Sequence, residues 1–136
     1  MYEVFEHTAD LGLRITAPDL PSLFVESARG LGSLLVEKLE SVIPRTETRI
    51  SLQGSDRTYL FFDWLHEILY RFETEHVLFS EFEVTLHADG LEALARGEPI
   101  DRMRHQLGHE VKAITYHALK IEVTENGYLA EVIVDI

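Results

Sequence analysis

The strongest constraint on the fold lies at the end of the chain, where residues 111–124 and 128–136 alternate apolar and polar side chains on either side of Asn126-Gly127. Asn-Gly between two such runs is a strong signal for an antiparallel hairpin, because both residues tolerate the positive φ that a tight turn needs. A two-residue loop would set Leu119 against Val134, Ile121 against Val132 and Val123 against Ala130. All three pairs are apolar, so this register predicts one buried face. On the other face it sets Lys120 against Ile133, Glu122 against Glu131 and Ala118 against Asp135, and it brings Ile136 opposite His117. His117 is then expected on the core side.

A hairpin with one apolar face needs something to cover it, and the chain supplies two amphipathic helices. After Pro18, Asp19 and Pro21, the residues Leu23, Phe24, Ala28, Leu31, Leu34 and Leu35 keep one helical face. Farther on, Leu60, Trp64, Leu65, Ile68, Leu69 and Phe72 form a second stripe, with Ser55 in position to cap it and Glu67 and Arg71 four residues apart. Short alternating runs at 2–7, 11–15, 46–52 and 79–87 read as further strands, the last closed by Ala88-Asp89-Gly90. The segment 91–110 contains Gly97, Pro99 and Gly108 and reads as a loop or short irregular elements. The expected architecture is α+β: a two-layer sandwich of mostly antiparallel β-sheet with two main helices on one face, in a single domain over 1–136. A doubly wound parallel sheet is the weaker alternative, because no Gly-rich phosphate fingerprint is present.

Charge narrows the partners. The chain carries 12 Lys and Arg against 24 Asp and Glu, a formal net charge of −12. That disfavours direct binding to a nucleic-acid backbone and favours a basic protein or a cation. No cysteine is present, which removes disulfides, thiolate zinc sites and Cys nucleophiles. No run reaches the ~18 apolar residues of a membrane span, and the N-terminus lacks the pattern of a secretory signal. A cytoplasmic protein without membrane association is expected.

The last three residues, Val134-Asp135-Ile136, end directly on an apolar strand, so Asp135 and the carboxylate of Ile136 sit side by side in ordered structure. Two adjacent anions call for a cation. Asp10, which follows His7-Thr8-Ala9 at the mouth of an early strand, is the best third donor if that strand lies beside the last one. An all-oxygen set of this kind suits calcium or magnesium better than zinc. His105 and His109 have a metal-ligand spacing but read more simply as a surface pair in a loop, and the polar helix face around Asp63 and His66 as a solvated or partner surface. No Gly-x-Ser-x-Gly, His-Glu-x-x-His or Walker motif occurs, so the pattern announces no enzyme.

Several longer stretches nevertheless carry a specific pattern: residues 5–12 (Phe-Glu-His-Thr-Ala-Asp-Leu-Gly), Gly97-Glu98-Pro99, residues 111–117 (Val-Lys-Ala-Ile-Thr-Tyr-His), Trp64-Leu65-x-Glu67 and the Val134-Asp135-Ile136 ending. Together, in order and over the whole chain, they resemble the archease family. The resemblance implies a compact α+β fold built like a duplicated strand-helix-strand-strand module. It implies an accessory protein, not an enzyme with turnover of its own, that serves the RtcB-type RNA ligase of tRNA splicing and RNA repair. That ligase is guanylylated with GTP and manganese, and the accessory promotes guanylylation and multiple turnover. RNA is reached only through the ligase.

The resemblance also implies a divalent cation, typically calcium and otherwise magnesium or manganese, held by Asp10, Asp135 and Ile136, and a role for Lys112 in activation. In the hairpin register above, Lys112 shares a face with Asp135 but lies roughly 20 Å away along the strand. Unless the strand bends, Lys112 is expected to contact the partner and not the cation site. Two other readings stand beside this one: a metal-stabilised binding module or chaperone-like accessory for an RNA-modifying enzyme such as a tRNA methyltransferase, and a small metal-dependent phosphohydrolase using Asp10 and Asp135.

Overall fold

The computed structural model describes residues 1–136. Its strands are β1 (Tyr2–His7), β2 (Asp10–Ala17), β3 (Thr46–Gln53), β4 (Val77–His87), β5 (Gly90–Pro99), β6 (Ala113–Ile114), β7 (Lys120–Thr124) and β8 (Gly127–Asp135). The helices are α1 (Leu20–Leu35) and α2 (Arg57–Glu75), with one 3-10 turn at Leu39–Ser41. Every strand pairing is antiparallel. The α+β sandwich is therefore as expected, but its sheet is divided in two. One sheet runs β1-β2-β8-β6, with β7 also on β8, and the other runs β3-β5-β4.

Local chemistry explains the helices. The Asp19 carboxylate accepts from the backbone N–H of Ser22 and caps α1, and Pro21 sits where a missing N–H costs nothing. α2 is capped by Asp56, not by the expected Ser55; its carboxylate accepts from the N–H groups of Thr58 and Tyr59. Glu67 and Arg71 do pair, at 3.1 Å. α1 packs against β2 and β4 and so bridges the two sheets. Trp64 of α2 is fully buried, and its indole N–H donates to the Phe24 carbonyl of α1 at 2.9 Å. One continuous core of 31 buried apolar residues joins both sheets and both helices.

Two expectations fail in the second half of the chain. Residues 91–99 are not irregular: β5 is the central strand of the smaller sheet, with Leu91, Ala93 and Ala95 buried. Alanines and glycine carry little strand signal of their own, and the strand is fixed by its two neighbours. The last hairpin also differs from the expected register by two residues. Ile121 faces Ala130 and Val123 faces Tyr128, with Thr124 against Gly127. A shift of two leaves every side chain on its face, so the pairs stay apolar, but Val123 is exposed and the expected buried face does not reach it. It also replaces the like-charged Glu122–Glu131 pair by Lys120–Glu131, whose Nζ and Oε1 lie 3.1 Å apart. Gly127 has φ 143°, and a Cβ there would strike the Ala17 carbonyl of β2. The turn therefore closes one step earlier, on Glu125-Asn126.

Candidate cation and partner site

β1 and β2 turn at Thr8-Ala9, where Ala9 takes φ 62°, so that His7 and Asp10 form the closing pair. β2 then runs antiparallel to β8, and Asp10 falls directly opposite Asp135. Directly opposed residues in an antiparallel pair share a face with their Cβ atoms about 4.5–5.5 Å apart, where two like charges destabilise each other. Neither carboxylate has a Lys or Arg partner; the basic group facing Asp10 is His7, with Nδ1 3.9 Å from Oδ2. That is too long for a hydrogen bond, and His7 Nδ1 is shielded from solvent without any partner. Ile136 follows Asp135 and packs against the core, which fixes the chain end beside the two aspartates.

The long strand expected over 111–124 is broken between β6 and β7. Residues 115–119 make a detour in which Ala118 takes φ 55°, and β6 pairs with the far end of β8, Ala113 opposite Asp135. The Lys112 backbone N–H consequently donates to the Asp135 carbonyl at 2.7 Å. The expected ~20 Å separation is thus corrected: the bend brings Lys112 to the carboxylate site, with its own side chain exposed. The same detour turns His117 outward. It is exposed, not on the core side, and its ring meets His7 edge-on at 5.5 Å. His7, Asp10, Lys112, His117, Asp135 and Ile136 thus converge at one end of the larger sheet.

His105 and His109 separate instead of forming a surface pair. His109 is exposed, whereas His105 is buried because the loop after β5 folds back onto Glu98. His105 Nδ1 accepts from the Asp101 N–H at 2.9 Å, which leaves Nε2–H to donate to Glu98 Oε2 at 2.9 Å. Glu98 itself is only 2% exposed. It also accepts from the Ile43 N–H at 2.7 Å and pairs with Arg104 and Arg45. The Arg104 hydrogen bond, helped by Ile43 and His105 against the opposing effect of burial, holds its carboxyl at about 2. This network was missed in the sequence, where Glu98 stood only inside the Gly97-Glu98-Pro99 pattern. The available signal was a Glu followed closely by Arg102, Arg104 and His105.

The chemistry of the site is that of two opposed carboxylates without a Lys or Arg counter-charge. No three His, Cys, Asp or Glu side chains anywhere are gathered as a metal-binding group. A cation held between Asp10 and Asp135 would therefore need a donor of another kind; with the Ile136 carboxylate in that role the set would be oxygen-only, which would fit a hard divalent ion. No helix is long and apolar enough to cross a membrane. Fold and site together define a small α+β protein whose distinctive chemistry is a pair of opposed carboxylates at a sheet end.

Comparison with known proteins places that class. The family described as "Archease protein family (MTH1598/TM1083)" matches residues 2–136, and the chain belongs to it. Protein archease of Methanopyrus kandleri is 41% identical over 99% of both chains. Protein archease of Methanosarcina mazei is 34% identical over 99% of this chain and 95% of that one. The solution structure of Methanobacterium thermoautotrophicum protein 1598 superposes with a TM-score of 0.86 at 34% identity, covering 99% of this chain and 98% of that one. The crystal structure of a Thermotoga maritima archease, described as a possible chaperone, gives 0.66 at 20% identity over 100% and 98%, and that likeness concerns the fold alone.

Proposed function

We propose that this chain activates an RtcB-type RNA ligase, promoting its GTP-dependent guanylylation and its multiple turnover in tRNA splicing and RNA repair, without turnover of its own. Family membership supports the reading, and the single structural observation that carries it is the opposition of Asp10 and Asp135 without a Lys or Arg partner. Asp10, Asp135 and the Ile136 carboxylate would hold a divalent cation, calcium in the first place. Such an ion would neutralise the cluster and offer positive charge to a phosphate group. The chain's own residues do the positioning: the β1–β2 turn aims Asp10, β8 carries Asp135, and the bond from Lys112 N–H to the Asp135 carbonyl ties the exposed lysine to the same spot. The net charge of −12 steers the protein to a basic enzyme surface, and RNA is reached only through that enzyme.

The test is multiple-turnover RNA joining with limiting ligase, GTP and manganese, with no addition, with this protein, and with its Asp10→Ala and Asp135→Ala variants. Stimulation by wild type that both variants lose is the expected result. Association with the ligase but no stimulation would instead favour a chaperone-like accessory, and phosphate release by this protein alone would favour a phosphohydrolase.

A further inference from the structure

The outward face of α2 carries an aromatic ledge that the carboxylate site does not use. Phe62 stacks on Tyr116 of the 115–119 detour, with ring centroids 3.8 Å apart and planes 14° from parallel. Tyr59 meets Tyr116 edge-on at 5.9 Å and 72°. Despite these contacts Tyr59 is 59% exposed and Tyr116 54%. The two tyrosines wall a cleft of about 460 Å³, completed by Asp56, Thr58 and Leu119. Exposed tyrosines held rigid by stacking are unusual on a surface with no occupant, because they keep apolar area in water while having already lost rotamer freedom.

The charges around the ledge select the occupant. Asp56 uses one oxygen, Oδ1, to cap α2, and forms no ion pair. Asp63, two turns on, is exposed and also without an ion pair; farther along α2 Arg71 is already taken by Glu67 and Glu75, and Arg57, beside Asp56, turns a shielded Nη1 away from any ion pair. Free carboxylate oxygens beside open aromatic faces match a flat cation that can stack on a ring and fork to a carboxylate at once. A guanidinium does both, and a compact ammonium does not fork. A polyanion such as RNA would meet the unpaired aspartates unfavourably.

We propose that the Tyr59–Tyr116 cleft is a docking site for an arginine side chain on a basic protein partner. His117, the residue after Tyr116, touches His7 of the carboxylate site, so a partner seated in the cleft lies next to Asp10. Naming that partner as the RNA ligase rests on the function proposed above; the chemistry of the cleft does not.

The test has two arms. In the first, hexaarginine and hexalysine are titrated into the full chain at fixed salt and followed by NMR shifts. Hexaarginine is expected to bind more tightly, with about a tenfold loss in Tyr59→Ala, Tyr116→Ala and Asp56→Asn and no loss in Tyr59→Phe, which keeps the ring. Asp56→Asn keeps a side chain able to cap α2, so that variant separates docking from folding. Equal binding of the two peptides, unmoved by these changes, would overturn the proposal. Tyrosine-dependent binding of single-stranded RNA in place of hexaarginine would overturn it too. In the second arm, Tyr116→Ala is expected to raise the concentration for half-maximal ligase stimulation about tenfold at an unchanged plateau. A lowered plateau with an unchanged midpoint would refute docking there. If wild type fails to stimulate the ligase, the functional reading fails, and the peptide arm decides the cleft separately.

Discussion

Removing the Glu98 carboxylate should cost the fold more than removing any other acidic side chain, and the structure allows the amount to be worked out. Its two arginine partners are 38% and 54% exposed, so solvent screens the charge part of those pairs and their loss is left out of the sum. The buried partners, the Ile43 N–H and His105 Nε2–H, lose their acceptor altogether in Glu98→Ala. Two buried unsatisfied donors cost about 1–3 kcal/mol each, so the variant should be roughly 3–4 kcal/mol less stable.

The same carboxylate makes a pH prediction. Its folded value of about 2 lies below the ordinary 4.5, so its contribution is present in full above about pH 4.5 and is lost as pH falls toward 2. The shift corresponds to at most about 3 kcal/mol, discounted to roughly 2 for the exposed arginines. Urea denaturation of wild type and Glu98→Gln at pH 7, 4.5, 3.5 and 2.5 isolates that part, since every other carboxylate titrates in both proteins. The gap between them should be about 2 kcal/mol at pH 7, roughly 6–8 °C in Tm for a chain of this size, and should shrink to about a quarter of that by pH 2.5. A gap that stays constant across this range would refute the reasoning. Because the loop after Glu98 runs into Lys112, Glu98→Gln should also weaken ligase stimulation.

Three further outcomes follow from the geometry. Gly12→Ala would drive its methyl into the Phe5 ring, which lies across that glycine; a loss of about 1–3 kcal/mol is expected in denaturant titration, largely recovered in the double variant with Phe5→Ala. Asp135→Asn relieves the like-charge pair, so in chelator it should be at least as stable as wild type, by up to about 0.5 kcal/mol. Calcium at about 100 times its dissociation constant should stabilise wild type by roughly 2.7 kcal/mol and the variant far less; equal calcium shifts in both proteins would exclude the site. Arg14→Ala breaks the chain of ion pairs from Glu3 through Glu131 to Lys120 on the open sheet face, yet it should lower the denaturation midpoint only slightly, and less as salt rises.

The parts of the fold written in local periodicity were legible in the sequence: both helices, the α2 cap to within a residue, and the strands with large alternating side chains. β5 was not, because Ala93, Ala95 and Gly97 owe their strand to β3 and β4 on either side. The final register turned on one residue, Gly127, whose fit against Ala17 is a tertiary fact. At the site, Asp10, Asp135 and Ile136 could be named from charge and position at the chain end, but their convergence depends on β2 pairing with β8. Lys112 was displaced and His117 turned the wrong way for one shared reason, the bend at 115–119, which no turn residue announces apart from the left-handed Ala118. His105 and Glu98 stayed hidden because a buried hydrogen bond between distant side chains leaves no periodic trace.

The most direct measurement of the central claim is the yield of guanylylated ligase from labelled GTP in a single round, with wild-type protein, Asp135→Asn, Lys112→Ala and Arg14→Ala. Wild type and Arg14→Ala should raise the yield alike, while Asp135→Asn and Lys112→Ala, one backbone hydrogen bond apart at the sheet end, should both leave it at the level of ligase alone. Full stimulation by Asp135→Asn would show that the carboxylate cluster is not what activates the partner.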